Sequence, residues 1–161
     1  LDDELLRISK ESFDALSFNC YALSPDHEKM NHALEISGLQ MIIGEYHFGT
    51  VDRGLAQSLW QVNSQKERGD AFRYYTENAF AHRGLIGTGW FRWIDQNING
   101  RTDGENYNCG FIDVTDRPYP YMVDAAIEAA KSLYEIHSGT KTPFHQAPNA
   151  VGHSPIPDLW E

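Results

Sequence analysis

Glu45 closes the most apolar run of the chain, Leu39-Gln40-Met41-Ile42-Ile43-Gly44, and is the first residue from which chemistry can be read. A carboxylate leaving a buried strand at its carboxyl end can act as a nucleophile or general base, since neighbours tune its acidity and water is partly excluded. The alternative is a salt bridge from Glu45 to a loop arginine such as Arg53, and the motif leaves both open. A second group is Trp90-Phe91-Arg92-Trp93-Ile94-Asp95-Gln96, followed by Asn97, Asn99, Arg101, Asp103, Glu105, Asn106 and Asn108. Aromatic faces beside carboxylates and amides suit a sugar, whose C–H faces stack on rings while its hydroxyls meet Asp, Asn, Gln and Arg. The plainer alternatives are core packing for the tryptophans and a solvated turn cluster for the polar loop.

Other chemistries find little support. The seven histidines are scattered, and although His47 lies near Asp52, no His-x-x-x-His or His-x-Glu spacing appears, so no metal is expected. There is no Gly-x-Ser-x-Gly elbow and no glycine-rich phosphate cradle after a strand, and no cofactor is implied. Cys20 and Cys109 share no metal or disulfide pattern.

Composition narrows the partners. With 161 residues, 41% apolar and 22% charged, the chain has the size and apolar content of one folded domain. Its 13 Lys+Arg against 23 Asp+Glu give a net charge of −10, which argues against nucleic acid or anionic lipid and favours a neutral partner. No apolar stretch approaches the roughly 18 residues of a membrane span. The first residues, Leu1-Asp2-Asp3-Glu4, are acidic where a signal peptide would be basic and lack a Met, so the chain is expected to start inside a longer one.

The elements that must carry these residues alternate. Asp2 to Ser12 places Leu5, Leu6 and Ile8 on a helical stripe with Asp2 as N-cap, and Ala15 to Tyr21 alternates as a strand. Ser24-Pro25-Asp26 starts a helix, with Ser24 as cap, Pro25 in the first turn and Asp26 against the dipole, and Gly38 closes it. Leu39 to Glu45 is a strand buried on both faces, as in a parallel sheet. After an irregular stretch from Phe48 to Asn63, the capping box Ser64-Gln65-Lys66-Glu67 opens a helix carrying Phe72, Tyr75, Ala79 and Phe80 up to Gly84. Leu85 to Trp93 is the next strand. The polar loop Asp95 to Asn108 leads to Gly110-Phe111-Ile112-Asp113-Val114, and Pro118 and Pro120 introduce a last helix that Gly139 ends. The pattern is α/β, three units with parallel-sheet character: a small doubly wound layer, or consecutive units of a (β/α)8 barrel, which needs roughly 200 residues or more to close. Residues 1–139 form this body, and 140–161, with four of the seven prolines, read as a terminal extension or an ordered loop.

The combined motifs resemble the C-terminal part of β-agarases of glycoside hydrolase family 50 and related barrel glycosidases. The residues that carry the resemblance are Gly44-Glu45-Tyr46-His47-Phe48-Gly49 with Asp52-Arg53-Gly54, then Gly87-Thr88-Gly89-Trp90-Phe91-Arg92-Trp93-Ile94-Asp95-Gln96, Gly100 to Asn108 and Gly110 to Asp116. It spans Leu5 to Gly139 and implies a (β/α)8, or TIM, barrel of the large retaining glycosidase clan, acting on the β-galactosidic bonds of agarose or a related galactan. The three strands would be six, seven and eight. Glu45 then matches the nucleophile, Asn19 and Tyr21 end strand six, and Trp90 or Trp93 supplies a sugar platform, the two pointing to opposite faces. His47, Asp95, Gln96, Arg101, Asp103, Glu105 and Asn106 become candidates for binding the polysaccharide or oligosaccharide. A substrate too large to import implies secretion or a periplasmic location.

Retaining hydrolysis uses two carboxyl groups roughly 5–5.5 Å apart. The resemblance places the acid/base Glu at the end of strand four, upstream of Leu1, and neither Asp95 nor Glu105 matches it. The expectation is therefore an incomplete barrel, inactive alone. The rival expectations are a non-catalytic carbohydrate-binding or degenerate module, and a truncated piece with unpaired strand edges.

Overall fold

The computed structural model describes residues 2–153. In chain order the elements are α1 (Asp3–Ser12), β1 (Ala15–Asn19), α2 (His27–Ser37), β2 (Gln40–Tyr46), β3 (Trp60–Gln61), α3 (Gln65–Phe80), β4 (Leu85–Trp90), α4 (Pro120–His137) and β5 (Val151–Gly152). β1, β2 and β4 form a parallel sheet with β2 central, and β3 pairs antiparallel with β5. Among the described residues β1 and β4 each keep one unpaired edge.

Local chemistry sets the boundaries. The Asp2 carboxylate accepts from the amides of Glu4 and Leu5 and opens α1. The cap of α2 is Asp26 and not Ser24: its carboxylate accepts from the Glu28 amide at 2.9 Å and the Lys29 amide at 3.2 Å, so the helix begins two residues later than the cap-proline pattern suggested. Gly38 ends α2 with φ 70°, a left-handed turn that glycine adopts without steric cost. Ser64 caps α3 as expected, while Glu67 reaches past the cap to accept from the Asn63 amide and side chain at 2.9 and 3.0 Å. α3 stops at Phe80, four residues before Gly84, and β4 stops at Trp90, where the Arg92 amide turns to the Cys109 carbonyl and a cis peptide joins Phe91 to Arg92.

The decisive local feature is a one-residue slip in β2. Asn19 pairs with Glu45 where Phe18 paired with Ile43, so Gly44 is bulged out of register. Met41 and Ile43 are buried beneath the helices, and strict alternation would send residue 45 after them. The slip puts Tyr46 on that side instead, stacked on Tyr75 of α3 at 4.0 Å, and releases Glu45 to the opposite face. Two glycines make room: a Cβ on Gly89 would lie 2.4 Å from the Gly44 carbonyl oxygen, and one on Gly44 would lie 2.9 Å from Asn19 Oδ1.

The core joins Leu6, Met30 and Ala33 to Met41, Ile43 and Leu85 of the sheet, and these to Phe72, Tyr75, Met122 and Ala129 of α3 and α4. Apolar surface stays exposed at both ends of the sheet, with Leu5, Ile8 and Phe13 at one end and Ile86, Ile127 and Tyr134 at the other. Residues 140–153 run back over the body. Lys141 Nζ donates to Ser132 Oγ, the Phe144 amide donates to Glu77 Oε2 at 2.7 Å, and β5 brings the His153 amide within 2.7 Å of the Leu59 carbonyl. The rest of the tail, 154–161, lies outside the described residues. No described helix is long and apolar enough to cross a membrane.

Candidate active site

The carboxyl ends of the parallel strands carry two long loops, 47–63 after β2 and 91–119 after β4, and Glu45 stands next to the last residue of β2. The Tyr21 hydroxyl donates to Glu45 Oε2 at 2.7 Å. Tyr21 is itself held: Trp60 Nε1 donates to its carbonyl at 2.7 Å, and its ring meets the His47 ring at 5.0 Å, edge to face. Burial, then the hydrogen bond to Glu45 and that carboxylate's charge, push the Tyr21 phenol above its ordinary value, so it stays a donor. The alternative of a bridge to Arg53 is not what forms, since Arg53 lies 3.8 Å from Asp52 and over the Tyr119 ring. Asn19 is exposed on the same face, next to Gly44.

His47 points away from that open face. It is 1% exposed, and its Nε2 accepts from the Leu59 amide at 3.1 Å, which puts the proton of the neutral ring on Nδ1. Burial holds it down to about 3, only partly offset by the Phe91 carbonyl. Packed among Tyr21, Phe91 and Tyr107, the ring leaves no surface for a sugar, a correction to the expectation that it touches substrate.

The two tryptophans separate. Trp90 Nε1 donates to the Cys109 carbonyl at 2.7 Å, and its ring packs against Tyr46, Phe72 and Phe111 in the core. Trp93 is 69% exposed, backed on one side by Phe111 at 5.9 Å. The face left open is therefore Trp93's.

The polar loop divides in the same way. Asp95 is buried and accepts from Asn108 Nδ2, the Gly110 amide at 2.7 Å and the Tyr119 hydroxyl at 2.6 Å. Gln96 is fully buried, donating to Glu105 Oε2 at 2.8 Å and accepting from the Tyr107 amide at 2.7 Å. Both brace the loop and neither is open to a sugar, which corrects the expectation for them. Arg101 pairs with Asp103 and, at 3.4 Å, with Glu105, on the exposed turn. Asn106 ties this loop to the other by accepting from the Ala56 amide.

Beneath the loops lies a residue that sequence reasoning missed. Arg68 of α3 is fully buried, donates to the Asn108 carbonyl at 2.9 Å and to the Gly110 carbonyl, and sits 4.5 Å from the Tyr119 ring centroid. Burial lowers it to about 10, still charged at neutral pH, with the Asp95 carboxylate opposing the shift. Gln65 adds donation from Nε2 to Thr50 Oγ1, Asp52 Oδ1 and Asn108 Oδ1. The sequence did hold a signal, because Arg68 falls on the stripe of Phe72, Tyr75 and Ala79, where a charge needs an inward partner. Among the described residues no group of three or more His, Cys, Asp or Glu is arranged to hold a metal.

No protein-family model matches the chain. It is 38% identical over 128 residues to beta-agarase A of Vibrio sp. (strain JT0107), a match covering 75% of this chain and 13% of that protein. Beta-agarase B of the same strain is 36% identical over the same shares. Among solved structures, an agarase named AgWH50C aligns with a TM-score of 0.80 at 36% identity, over 85% of this chain and 20% of that one. The chain thus spans about an eighth of the length of the curated relatives it matches. Likeness in sequence and in fold, each over three quarters or more of its length, makes this an agarase-like glycosidase chain of glycoside hydrolase family 50.

Proposed function

We propose that the chain supplies strands six, seven and eight of a retaining (β/α)8 β-glycosidase acting on agarose or a related galactan, with β1, β2 and β4 in those places and Glu45 as nucleophile. The observation that carries this is the slip at Gly44, which turns a carboxylate out of the buried run onto the open strand-end face under one donor, the Tyr21 hydroxyl. Because Tyr21 engages Oε2, Oε1 is the oxygen left for attack.

Oε1 attacks the anomeric carbon and forms a glycosyl ester, while an acid on the opposite side of the bond protonates the departing oxygen. Water, losing its proton to that same group, then breaks the ester and restores Glu45. On this reading the acid/base belongs to strand four, which β1, β2 and β4 do not supply; Asp95 is spent in its buried cluster, and Glu105 is held by Gln96 and Arg101. Trp93 is the sugar platform, with Asn19, Arg101, Asp103 and Asn106 along the cleft, whereas His47, Trp90, Asp95 and Gln96 position the others. A polysaccharide substrate places the enzyme outside the cytoplasm. In the full-length protein Glu45→Gln should lower kcat by several orders of magnitude with circular dichroism unchanged; near-normal turnover refutes the assignment.

A second function rests on the engagement of Asp95 and Glu105 elsewhere: alone, the 161-residue chain binds oligosaccharide without cleaving it. Calorimetry with an agaro-oligosaccharide, showing heat of binding and no product, would favour it, and no heat would remove it.

A further inference from the structure

Tyr21 lies two residues past the end of β1, where the regular pairing of that strand has stopped, yet its hydroxyl stands 2.7 Å from Glu45 Oε2. Three hydrogen bonds fix the segment. The Cys20 amide donates to the Glu45 carbonyl at 2.9 Å, the Tyr75 hydroxyl of α3 donates to the Cys20 carbonyl at 2.7 Å, and Trp60 Nε1 donates to the Tyr21 carbonyl at 2.7 Å. The first two come from the sheet and the helix packed on it. The third comes from β3, a two-residue strand inside a long loop, and a pairing of that length is marginal without support.

We infer that Trp60 is a positioning residue for Tyr21, and through it for Glu45, and that the returning tail keeps the indole in place by way of Gly152. The inference rests on Glu45 as nucleophile and adds the residues that aim its donor. Two segments grip Trp60. From the first loop, the Phe48 ring meets the indole edge to face at 6.5 Å, and the Gly49 amide donates to the Trp60 carbonyl at 2.9 Å. From the tail, β5 pairs Gly152 with Trp60 and Val151 with Gln61, and the His153 amide donates to the Leu59 carbonyl at 2.7 Å. Gly152 lies against the ring itself. A Cβ there would stand 3.1 Å from Cζ2 and 3.3 Å from Cε2, the carbon bonded to the nitrogen that donates to Tyr21. A side chain at this position therefore displaces the donor, because close-packed groups pass on such a push.

The tail has its own anchors. The Phe144 amide donates to the buried Glu77 carboxylate at 2.7 Å, Asn78 Nδ2 donates to the Phe144 carbonyl at 3.0 Å, and the Arg73 guanidinium lies 4.7 Å from the centre of the Phe144 ring. Ala150, the residue before β5, packs against the core. Fixed at both points, β5 loses little further freedom when it pairs with β3. The consequence for chemistry is geometric: a hydrogen bond weakens steeply off its axis, so a phenol released at its carbonyl no longer holds Oε2, or the attacking Oε1, in one orientation. Such a loss falls on kcat, since the donor acts on the chemical step.

The test is a double-mutant cycle in the full-length protein, with kcat and KM measured on an agaro-oligosaccharide for wild type, Trp60→Phe, Tyr21→Phe and the double variant. Trp60→Phe keeps an aromatic ring and removes the donor. It should lower kcat roughly three- to tenfold, the worth of one hydrogen bond, with KM changed less than about twofold, and in the Tyr21→Phe background the same change should cost less than about twofold. Gly152→Val leaves the donor in place and crowds the ring; it should show the same dependence on Tyr21, and it carries the test if Trp60→Phe does not fold. Equal losses with and without the Tyr21 hydroxyl, a loss confined to KM, or an unchanged kcat in both variants overturns the positioning role. Glu45→Gln, measured alongside, separates the two claims. If it is inactive while the losses are additive, the nucleophile stands and the role of Trp60 falls. If it is active, or the full-length protein turns over no galactan, the nucleophile assignment fails and this inference with it.

Discussion

Tyr21 and His47 show how much of a site depends on residues that no sugar touches. Tyr21 spends its proton on Glu45, and His47, fixed as a neutral ring by the Leu59 amide, packs against the Tyr21 ring. Removing the phenol hydroxyl by Tyr21→Phe should lower kcat at least tenfold with little change in KM, because a donor on the nucleophile acts on the chemical step; a change confined to KM would assign Tyr21 to binding. His47 also predicts a pH effect. Its native value of about 3 lies below the ordinary histidine value of about 6.5, so the unfolded chain takes up this proton first. The stability that depends on a neutral His47 is whole above about pH 6.5 and is lost as the pH falls towards about 3, with a slope of up to ~1.4 kcal/mol per pH unit. Urea unfolding of His47→Gln should lose that slope, and an unchanged slope would place the acid sensitivity elsewhere. Glu45 was legible because a charge ending an apolar run is conspicuous. The burial of His47 was not, because it is made by Tyr21, Leu59, Phe91 and Tyr107, which reach the ring from other segments of the chain.

At the scale of elements, periodicity and caps located the four described helices and the three strands of the parallel sheet, and missed what depends on partners. Serine and aspartate are both good caps, so Ser24-Pro25-Asp26 could not say which of them would face the free amides; the structure chose Asp26. Asp26→Ala should cost about 1 kcal/mol in urea unfolding, while Ser24→Ala should cost only a few tenths. The reverse order would restore the earlier start. The pairing of β5 with β3 was unreadable because two-residue strands carry no period and gain their meaning only across 90 residues of chain. Gly89 was visible as a glycine but not as a contact. Gly89→Ala should destabilise by about 1–3 kcal/mol as its methyl meets the Gly44 carbonyl, with urea unfolding as the measure.

Among the described residues the parallel sheet has three strands, two open edges and exposed apolar side chains beyond each. Such surfaces are covered in a closed barrel and exposed in a part of one. The isolated 161-residue chain should therefore bind an apolar dye strongly and lose much of that signal in Phe13→Lys, Tyr134→Lys, whereas the full-length protein should bind little. Strong dye binding by the folded full-length protein would mean these faces are not covered by its remaining strands. The central claim, that Glu45 is the nucleophile of a retaining galactan hydrolase, is tested most directly by trapping. A 2-deoxy-2-fluoro galactosyl substrate with a good leaving group stalls a retaining enzyme at its glycosyl ester, and peptide mass spectrometry then finds the carboxylate that carries it. The prediction is one label, on Glu45, in the full-length protein. A label on any other carboxylate, or turnover with no label, would contradict it.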